Sequence, residues 1–572
     1  MNSRSGTHLA VLLVVYGLLT ARFWFVCDDA FITFRFAHNL ATGRGLVFNP
    51  GEWPPVEGTP TSCGSCSPPP SRPCACAPIA SCRGSARCAA PHSCCASTAS
   101  RATGSISRRS PRCGGTLVAA AAPAIGCWAT SGLETMPQAL LTFLLFEKVV
   151  LERSARWAGQ APGDLPEEVV PALLAVGLTL IRTEGAAWVA VILAVSVLAQ
   201  WIDRAPMRQH LVFLGRVAAP VAVVVGVYQL WRYQYYGTLV PNTALVKVGF
   251  GPRLLARGAK YVGLFYATCL APLAGFFAVP SVLRSERHGS WLAVTLLALA
   301  FPAYAVVVGG DFMPFGRLLV PGVPFAALLV AGGLQELVRR ARGRTQRVQA
   351  VGAVLVVLSV LPAFDLHVVP DAVRRTMHFR LSDRAFLTEL NRWENQKENT
   401  DGFTRRGRAL AQIAEPTDAV VAAAVGAVGY WSGIQVYDQH GLVTKEVAYR
   451  PMPDGPLTQS PGHDKHVDPT FFLKYEPRFL YARAVEGKLA AGRMKDTLDQ
   501  WQVPVEVTDR YVPDYYEVAP VSDGLRSFLF VVRRALPGED PAALWAGFAE
   551  RRRSLNAELR NEAESSEPDS AD

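Results

Sequence analysis

The sequence predicts a mainly α protein, a polytopic bundle of transmembrane helices joined to a C-terminal extracytoplasmic α+β domain. Three observations lead there. Half of the 572 residues are apolar and only 18% are charged, below the roughly 25% usual in soluble domains. The mean hydropathy is positive, at +0.18. The apolar residues come in long blocks up to residue 369 and then give way to ordinary polar sequence. A wholly soluble enzyme and a wholly helical membrane bundle are both excluded. The net charge of +10 does not point to nucleic acid, because much of the arginine lies in short loops between apolar blocks, where it sets orientation.

A bilayer span takes about 20 predominantly apolar residues. Candidates fall at 8–26, 115–131, 136–151, 167–183, 186–202, 211–231, 261–283, 291–309, 317–337 and 348–366. The first reads as an anchor, since Phe23-Trp24-Phe25-Val26 offers no small-residue cleavage site. Arg339, Arg340, Arg342, Arg344 and Arg347 crowd one short loop, Arg204 and Arg208 another, and Arg284 and Arg287 a third. With these loops in the cytoplasm the spans alternate from 136 onward and the C-terminal domain lies outside, across a cell's inner (plasma) membrane. Residues 232–260 argue the other way, with Arg232, Lys247, Arg253, Arg257 and Lys260 in an outer loop.

Residues 59–113 break the pattern. They hold nine of the twelve cysteines (Cys63, Cys66, Cys74, Cys76, Cys82, Cys88, Cys94, Cys95 and Cys113) among Pro, Ser and Arg, with almost no aliphatics. A cysteine-rich outer insert is one reading, but the spacings match no regular zinc site. A frame slip fits better. With the codons GGC ACA CCA ACT TCC TGT GGG TCC TGC TCT chosen for Gly58 to Ser67, one base restored after the first gives Gly-(His/Tyr)-Thr-Asn-Phe-Leu-Trp-Val-Leu-Leu, the start of a membrane helix. No site is assigned to these cysteines, and an intact version would have about 10–12 spans.

The unusual polar residues gather on one side of the membrane. Asp28 and Asp29 follow the first span, and Glu57 belongs to the same outer loop. Glu134 precedes the 136–151 span, while Arg182 and Glu184 sit at the outer end of 167–183. Asn242 and Lys247 lie in the next outer loop, and Asp311 and Arg317 follow the 291–309 span. Taken singly, each has an ordinary explanation: Asp29 as a helix cap, Arg182 as a snorkelling cation, Asp311 and Arg317 as a structural pair. Their joint placement on one face is harder to explain that way.

Such a set suits transfer from a lipid-linked phosphate. Outside the cytoplasm there is no nucleotide-sugar pool, so an outer-face transferase needs its donor held in the lipid. Arg182, Lys247 and Arg317 could bind the phosphate at headgroup depth. Asp28 or Asp29 would take the proton from the acceptor hydroxyl as it attacks the anomeric carbon. A divalent metal on that pair is chemically allowed, but no ligand spacing indicates one.

Several motifs resemble the GT-C membrane glycosyltransferases. They are Asp28-Asp29-Ala30-Phe31-Ile32-Thr33-Phe34-Arg35-Phe36, Gly45-Leu46-Val47-Phe48-Asn49-Pro50-Gly51-Glu52, Val56-Glu57-Gly58 and Ser131-Gly132-Leu133-Glu134-Thr135. Within that group the chain is similar to the terminal β-(1→2)-arabinofuranosyltransferase family of mycobacterial cell-wall synthesis. Further matches are Tyr236-Gly237 with Pro241-Asn242-Thr243, Gly309-Gly310-Asp311-Phe312-Met313 with Arg317, Val428-Gly429-Tyr430-Trp431-Ser432-Gly433 with Asp438, and Gly462-His463-Asp464-Lys465. The likeness covers nearly the whole chain except 59–113, where the family has Gly-Tyr-Thr-Asn-(Phe/Pro)-Leu-Trp. It implies a polyprenyl-phosphate sugar donor, a cell-envelope glycan acceptor, and a catalytic Asp in the first outer loop, here Asp28 or Asp29. The departure at 59–113 puts activity of the chain as written in doubt.

From 370 to 562 the pattern reads as α+β. Residues 419–428 form a buried apolar run entering a Gly turn, 434–438 and 527–533 are strand-like, 541–562 is a helix, and 563–572 is a disordered acidic tail. His463 and Lys465, with Asp438 and His440, are candidates to touch donor or acceptor. The competing function is a transporter or flippase of lipid-linked glycans, which would place polar groups and broken helices near the bilayer midplane in two similar halves.

Overall fold

The computed structural model describes residues 3–58, 111–157, 167–247, 251–284, 288–340, 345–378, 386–454, 457, 460–486, 503–520 and 526–565. The anomalous stretch therefore lies outside the described residues except at its end, where Pro111 opens a helix.

Among the described residues, five helices are long and apolar enough to cross a membrane: Gly185–Ile202, Met207–Tyr236, His288–Val307, Pro314–Arg340 and Gln346–Phe364. Several apolar helices of this length mark a membrane protein. The pair Pro252–Thr268 and Leu270–Phe277 makes a sixth if taken together, but it bends by 95° at Cys269. The expected straight span at 261–283 is thus a broken one. Thr268 at the bend accepts a hydrogen bond from Arg374 (3.2 Å), a fully buried cation from beyond the last apolar helix. Other expected spans are realised as shorter helices. The 115–131 run splits into Pro111–Ala120 and Pro123–Trp128, because Pro123 has no N–H to continue the first helix and suits the first turn of the second. The 136–151 run is Thr135–Phe146 continued by a π-helical turn, Glu147–Glu152. Leu9–Arg22 and Val169–Ile181 are apolar but short.

The polar C-terminal region folds around a five-stranded mixed sheet of order β2-β1-β3-β5-β4. Its strands are β1 (Ala419–Ala422), β2 (Gln435–Asp438), β3 (Phe479–Glu486), β4 (Tyr511–Val518) and β5 (Ser527–Arg534). β1 pairs in parallel with β2 and β3, while β5 runs antiparallel to β3 and β4. The parallel β1–β2 pair requires a crossover, and Gly426–Ser432 supplies it, so the apolar run 419–428 divides into a strand and a helix start. The C-terminal helix, Pro541–Ser565, lays Phe548, Leu555 and Leu559 on Phe528 and Phe530. It runs through the first three residues of the expected tail; 566–572 lie outside the described residues.

The long helix Glu389–Ile413 was not foreseen. It is dominated by polar residues, and its few apolar ones are buried from two directions. Two patches are involved: near its start Trp393 meets Phe23 edge-on at 5.2 Å in the core around the first helix, while near its end Ala409 and Leu410 join the sheet core. That core also takes Ile32, Phe36 and Phe48 from the first outer segment. Residues 28–58 and the sheet thus share one core, and the chain's two halves are packed together where the candidate site lies.

Candidate functional site

The helix Asp28–Ala41 sets the site because its first two residues diverge. Neighbours on an α-helix are about 100° apart, so one faces the sheet region and the other faces the bundle. Asp28 is buried, and its two oxygens accept the N–H groups of Ala427 (2.8 Å) and Gly426 (3.2 Å), which open the helix Gly426–Ser432. Burial pushes its carboxyl up to about 7, against the pull of those N–H groups. Asp29 instead lines a cavity of about 470 Å³. Its side chain keeps 28% exposure, and its carboxylate stands 3.9 Å from Arg317 Nη1.

The cavity brings together Asp29, Glu134, Arg182, Glu184, Asp311 and Arg317 from separate segments. Arg182 Nη1 pairs with Glu134 (3.0 Å), and its Nε with Glu184 (2.6 Å). Burial works against the Glu184 charge, but Arg182 beside it holds the carboxyl below its ordinary value. Arg317 Nε pairs with Asp311 at 2.7 Å. The Gly309-Gly310 turn that delivers Asp311 has φ of +81° and +79°, a conformation that favours glycine. Between Asp311 and Arg317, Phe315 takes φ of +50°. Strain at a non-glycine residue of this kind tends to sit at functional sites, and here the Glu389 carboxylate holds the Phe315 N–H in place.

The remaining expected residues surround the cavity without all lining it. Glu57 is buried and paired with Arg232 (2.8 Å), with Tyr228 donating to it at 3.0 Å. Burial raises its carboxyl despite that arginine. Asn242 is buried and ties its N–H to the Glu57 carbonyl (3.1 Å), while its Nδ2 has no partner among the described residues. Lys247 ends the short helix Asn242–Lys247, and its side chain lies outside the described residues. Lys465 does not reach the cavity. Its ammonium donates to the carbonyls of Ala448 (2.7 Å) and Leu245 (2.9 Å), a latch between the sheet region and the bundle. His463 sits beside the cavity wall, its ring edge-on to Phe312 (4.7 Å) and His440 (4.5 Å).

Asp464, between those two, makes a buried two-bond pair with Arg257 (2.8 and 2.9 Å). Arg232 and Arg257, two of the cations that stood against the chosen orientation, are therefore each matched by a buried carboxylate. Sequence reasoning did not single out Thr33, Thr183, Gln229 and Tyr304, which add hydroxyl and amide groups to the lining. Tyr304 lies seven residues before Asp311 in an otherwise apolar helix, and a lone Tyr there gives no signal until the fold turns it towards Glu184 (3.4 Å).

The lining carries four carboxylates (Asp29, Glu134, Glu184, Asp311) and three guanidinium groups (Arg182, Arg232, Arg317). It is not a net-positive anion trap. Arg182 is paired with Glu134 and Glu184, and Arg317 with Asp311, while Asp29 stands 3.9 Å from Arg317. Among the described residues no group of three or more His, Cys, Asp or Glu is arranged to hold a metal ion. Asp28 has both oxygens committed to N–H groups, which leaves it unsuited to the metal role considered for the pair.

The fold and cavity define a class, a helical membrane protein with a small mixed-sheet region closing a polar cavity at one end of the bundle. A family model described as a domain of unknown function (DUF8728) matches residues 389–522, the long helix and most of the sheet. No curated protein matches the chain.

Proposed function

We propose that this protein is a membrane glycosyltransferase that moves a sugar from a polyprenyl-phosphate donor to a cell-envelope glycan at the outer face of the plasma membrane. The resemblance noted above does not fix the sugar; arabinofuranose is the one it favours. The observation that carries the reading is Asp29, a carboxylate open to the cavity and near Arg317, while its neighbour Asp28 is committed to capping. Asp29 takes the proton of the acceptor hydroxyl as that oxygen attacks the anomeric carbon. The leaving phosphate gains charge, and the guanidinium groups of Arg182 and Arg317, which line the cavity, are the donors suited to stabilise it. Since the lining is not positive overall, the phosphate is held by these directed N–H groups rather than by net charge. Hydroxyl and amide groups such as Thr33, Gln229 and Tyr304 suit the sugar. A lipid-linked glycan transporter would centre its broken helices on a midplane site; the bend at Cys269 is instead packed by Arg374 from the C-terminal side.

The test is Asp29→Asn, assayed with a lipid-linked sugar donor. Transfer should fall about 10²- to 10⁴-fold, as for loss of a general base, with donor binding retained. Turnover at the wild-type rate would remove Asp29 from the role and the reading with it.

A further inference from the structure

We propose that Asp28 is a positioning residue through which the C-terminal sheet region holds Asp29 in the cavity. The inference goes beyond the transfer reaction but rests on it for the role of Asp29.

The contact is built from both sides. Asp28 receives the first two N–H groups of Gly426–Ser432, donors that have no acceptor within their own helix. Gly426 permits the approach: a Cβ there would lie 1.9 Å from the Asp28 carbonyl oxygen and 3.0 Å from its Cγ. Two turns further along, and again beyond the helix end, the same segment is fixed. Arg35, 3% exposed, donates to the carbonyls of Phe48 (2.7 Å), Ile434 (2.7 Å) and Gly429. Asn49 exchanges two hydrogen bonds with Val436 of β2 (3.0 and 3.1 Å).

The start of Asp28–Ala41 is therefore registered against the sheet region rather than against the transmembrane helices alone. Asp29 is the next residue and Thr33 follows one turn later, and both line the cavity. Rotation or retreat of this helix start would carry Asp29 away from Arg317. Small displacements of a reacting group are costly in catalysis, about 10²-fold for 1 Å. A polar domain packed on the bundle thus does more than bind acceptor: it is a fixed wall of the reaction site.

The experiment compares full-length wild type, Asp28→Ala, Asp28→Ser and Gly426→Ala, each read in two ways. Amide hydrogen exchange over residues 424–432 reports the docking, and transfer from a polyprenyl-phosphate sugar donor reports the positioning. Asp28→Ala should speed exchange at Gly426 and Ala427 by about 5- to 30-fold, the effect of a lost cap. It should lower kcat by at least as much while leaving the KM for donor nearly unchanged. Serine can still accept one N–H, so Asp28→Ser should recover part of both losses and keep the wild-type pH profile. Gly426→Ala pushes on the contact with Asp28 intact and should match Asp28→Ala. Unchanged exchange in Asp28→Ala overturns the docking, and faster exchange with unchanged kcat overturns the positioning role. An Asp28→Ser as inactive as Asp29→Asn would make Asp28 itself the base and overturn the proposal. If the wild type and the same chain with the reading frame over 59–113 restored are both inactive on such donors, the transfer reading and the positioning role fall together, while exchange still decides whether Asp28 docks the domain.

Discussion

Arg257 and Asp464 form a buried, two-bond ion pair between the helix Pro252–Thr268 and the loop beside the cavity, with side-chain exposures of 6% and 3%. Arg257 Nε also donates to the Gly309 carbonyl (3.1 Å), next to the turn that delivers Asp311. Replacing Arg257 with Met keeps the aliphatic bulk and strands the Asp464 charge. Breaking a buried pair from one side costs about 3–5 kcal/mol; with an unfolding entropy of about 1.2 kcal/mol per degree for a chain this long, the detergent-solubilised protein should unfold about 2–4 °C lower. The double variant Arg257→Met with Asp464→Asn strands no charge and should recover much of that loss. Because Pro461 and Gly462 of the same loop line the cavity, transfer should drop in the single variant and partly return in the double. The measurement is thermal unfolding followed by tryptophan fluorescence, across all four corners of the cycle. Additive losses, with the double variant as unstable as the sum of the singles, would refute the coupling.

Arg182→Ala removes the partner of Glu134 and Glu184 and one candidate phosphate donor. Donor binding should weaken about 10- to 100-fold and acceptor binding less; an unchanged donor affinity would take Arg182 out of that role. Burial holds the folded Asp28 carboxyl near 7, above its ordinary 3.8, so the folded state keeps this proton to higher pH than the unfolded chain does. Its contribution to stability is full below pH 3.8 and is lost as pH rises through about 7. The wild-type advantage in Tm over Asp28→Asn should accordingly shrink between about pH 4 and 7, and a flat difference would contradict the assignment. Resequencing codons 56–120 should reveal one further base after the Gly58 codon; a read identical to the present one would refute the frame slip.

How much was legible beforehand follows from what kind of signal each feature leaves. Long apolar runs announce helices because a span must satisfy its backbone internally, and the five longest were readable as such. Hydropathy does not register a single imino acid or a bend, so the break before Pro123 and the 95° turn at Cys269 went unseen. The helix Glu389–Ile413 was hidden for the opposite reason. Its sequence is polar, and its buried face exists only because Phe23 and the sheet core come to meet it.

The sequence by itself determined the membrane character, the strand-like segments 434–438 and 527–533, found as Gln435–Asp438 and Ser527–Arg534, and the inventory of charged residues at helix ends. It could not divide Asp28 from Asp29, since adjacent identical residues carry the same chemistry. Only the tertiary structure decided that one caps Gly426–Ser432 while the other opens into the cavity. Nor could it assign the cations. Arg232 and Arg257 find buried carboxylates, Lys465 spends its ammonium on backbone carbonyls, and Arg182 and Arg317 line the cavity beside Glu134, Glu184 and Asp311. The physical reason is that partners such as Arg257 and Asp464 are 207 residues apart in sequence: charge type is written locally, whereas desolvation and pairing, which decide what a charge does, depend on what the fold brings beside it.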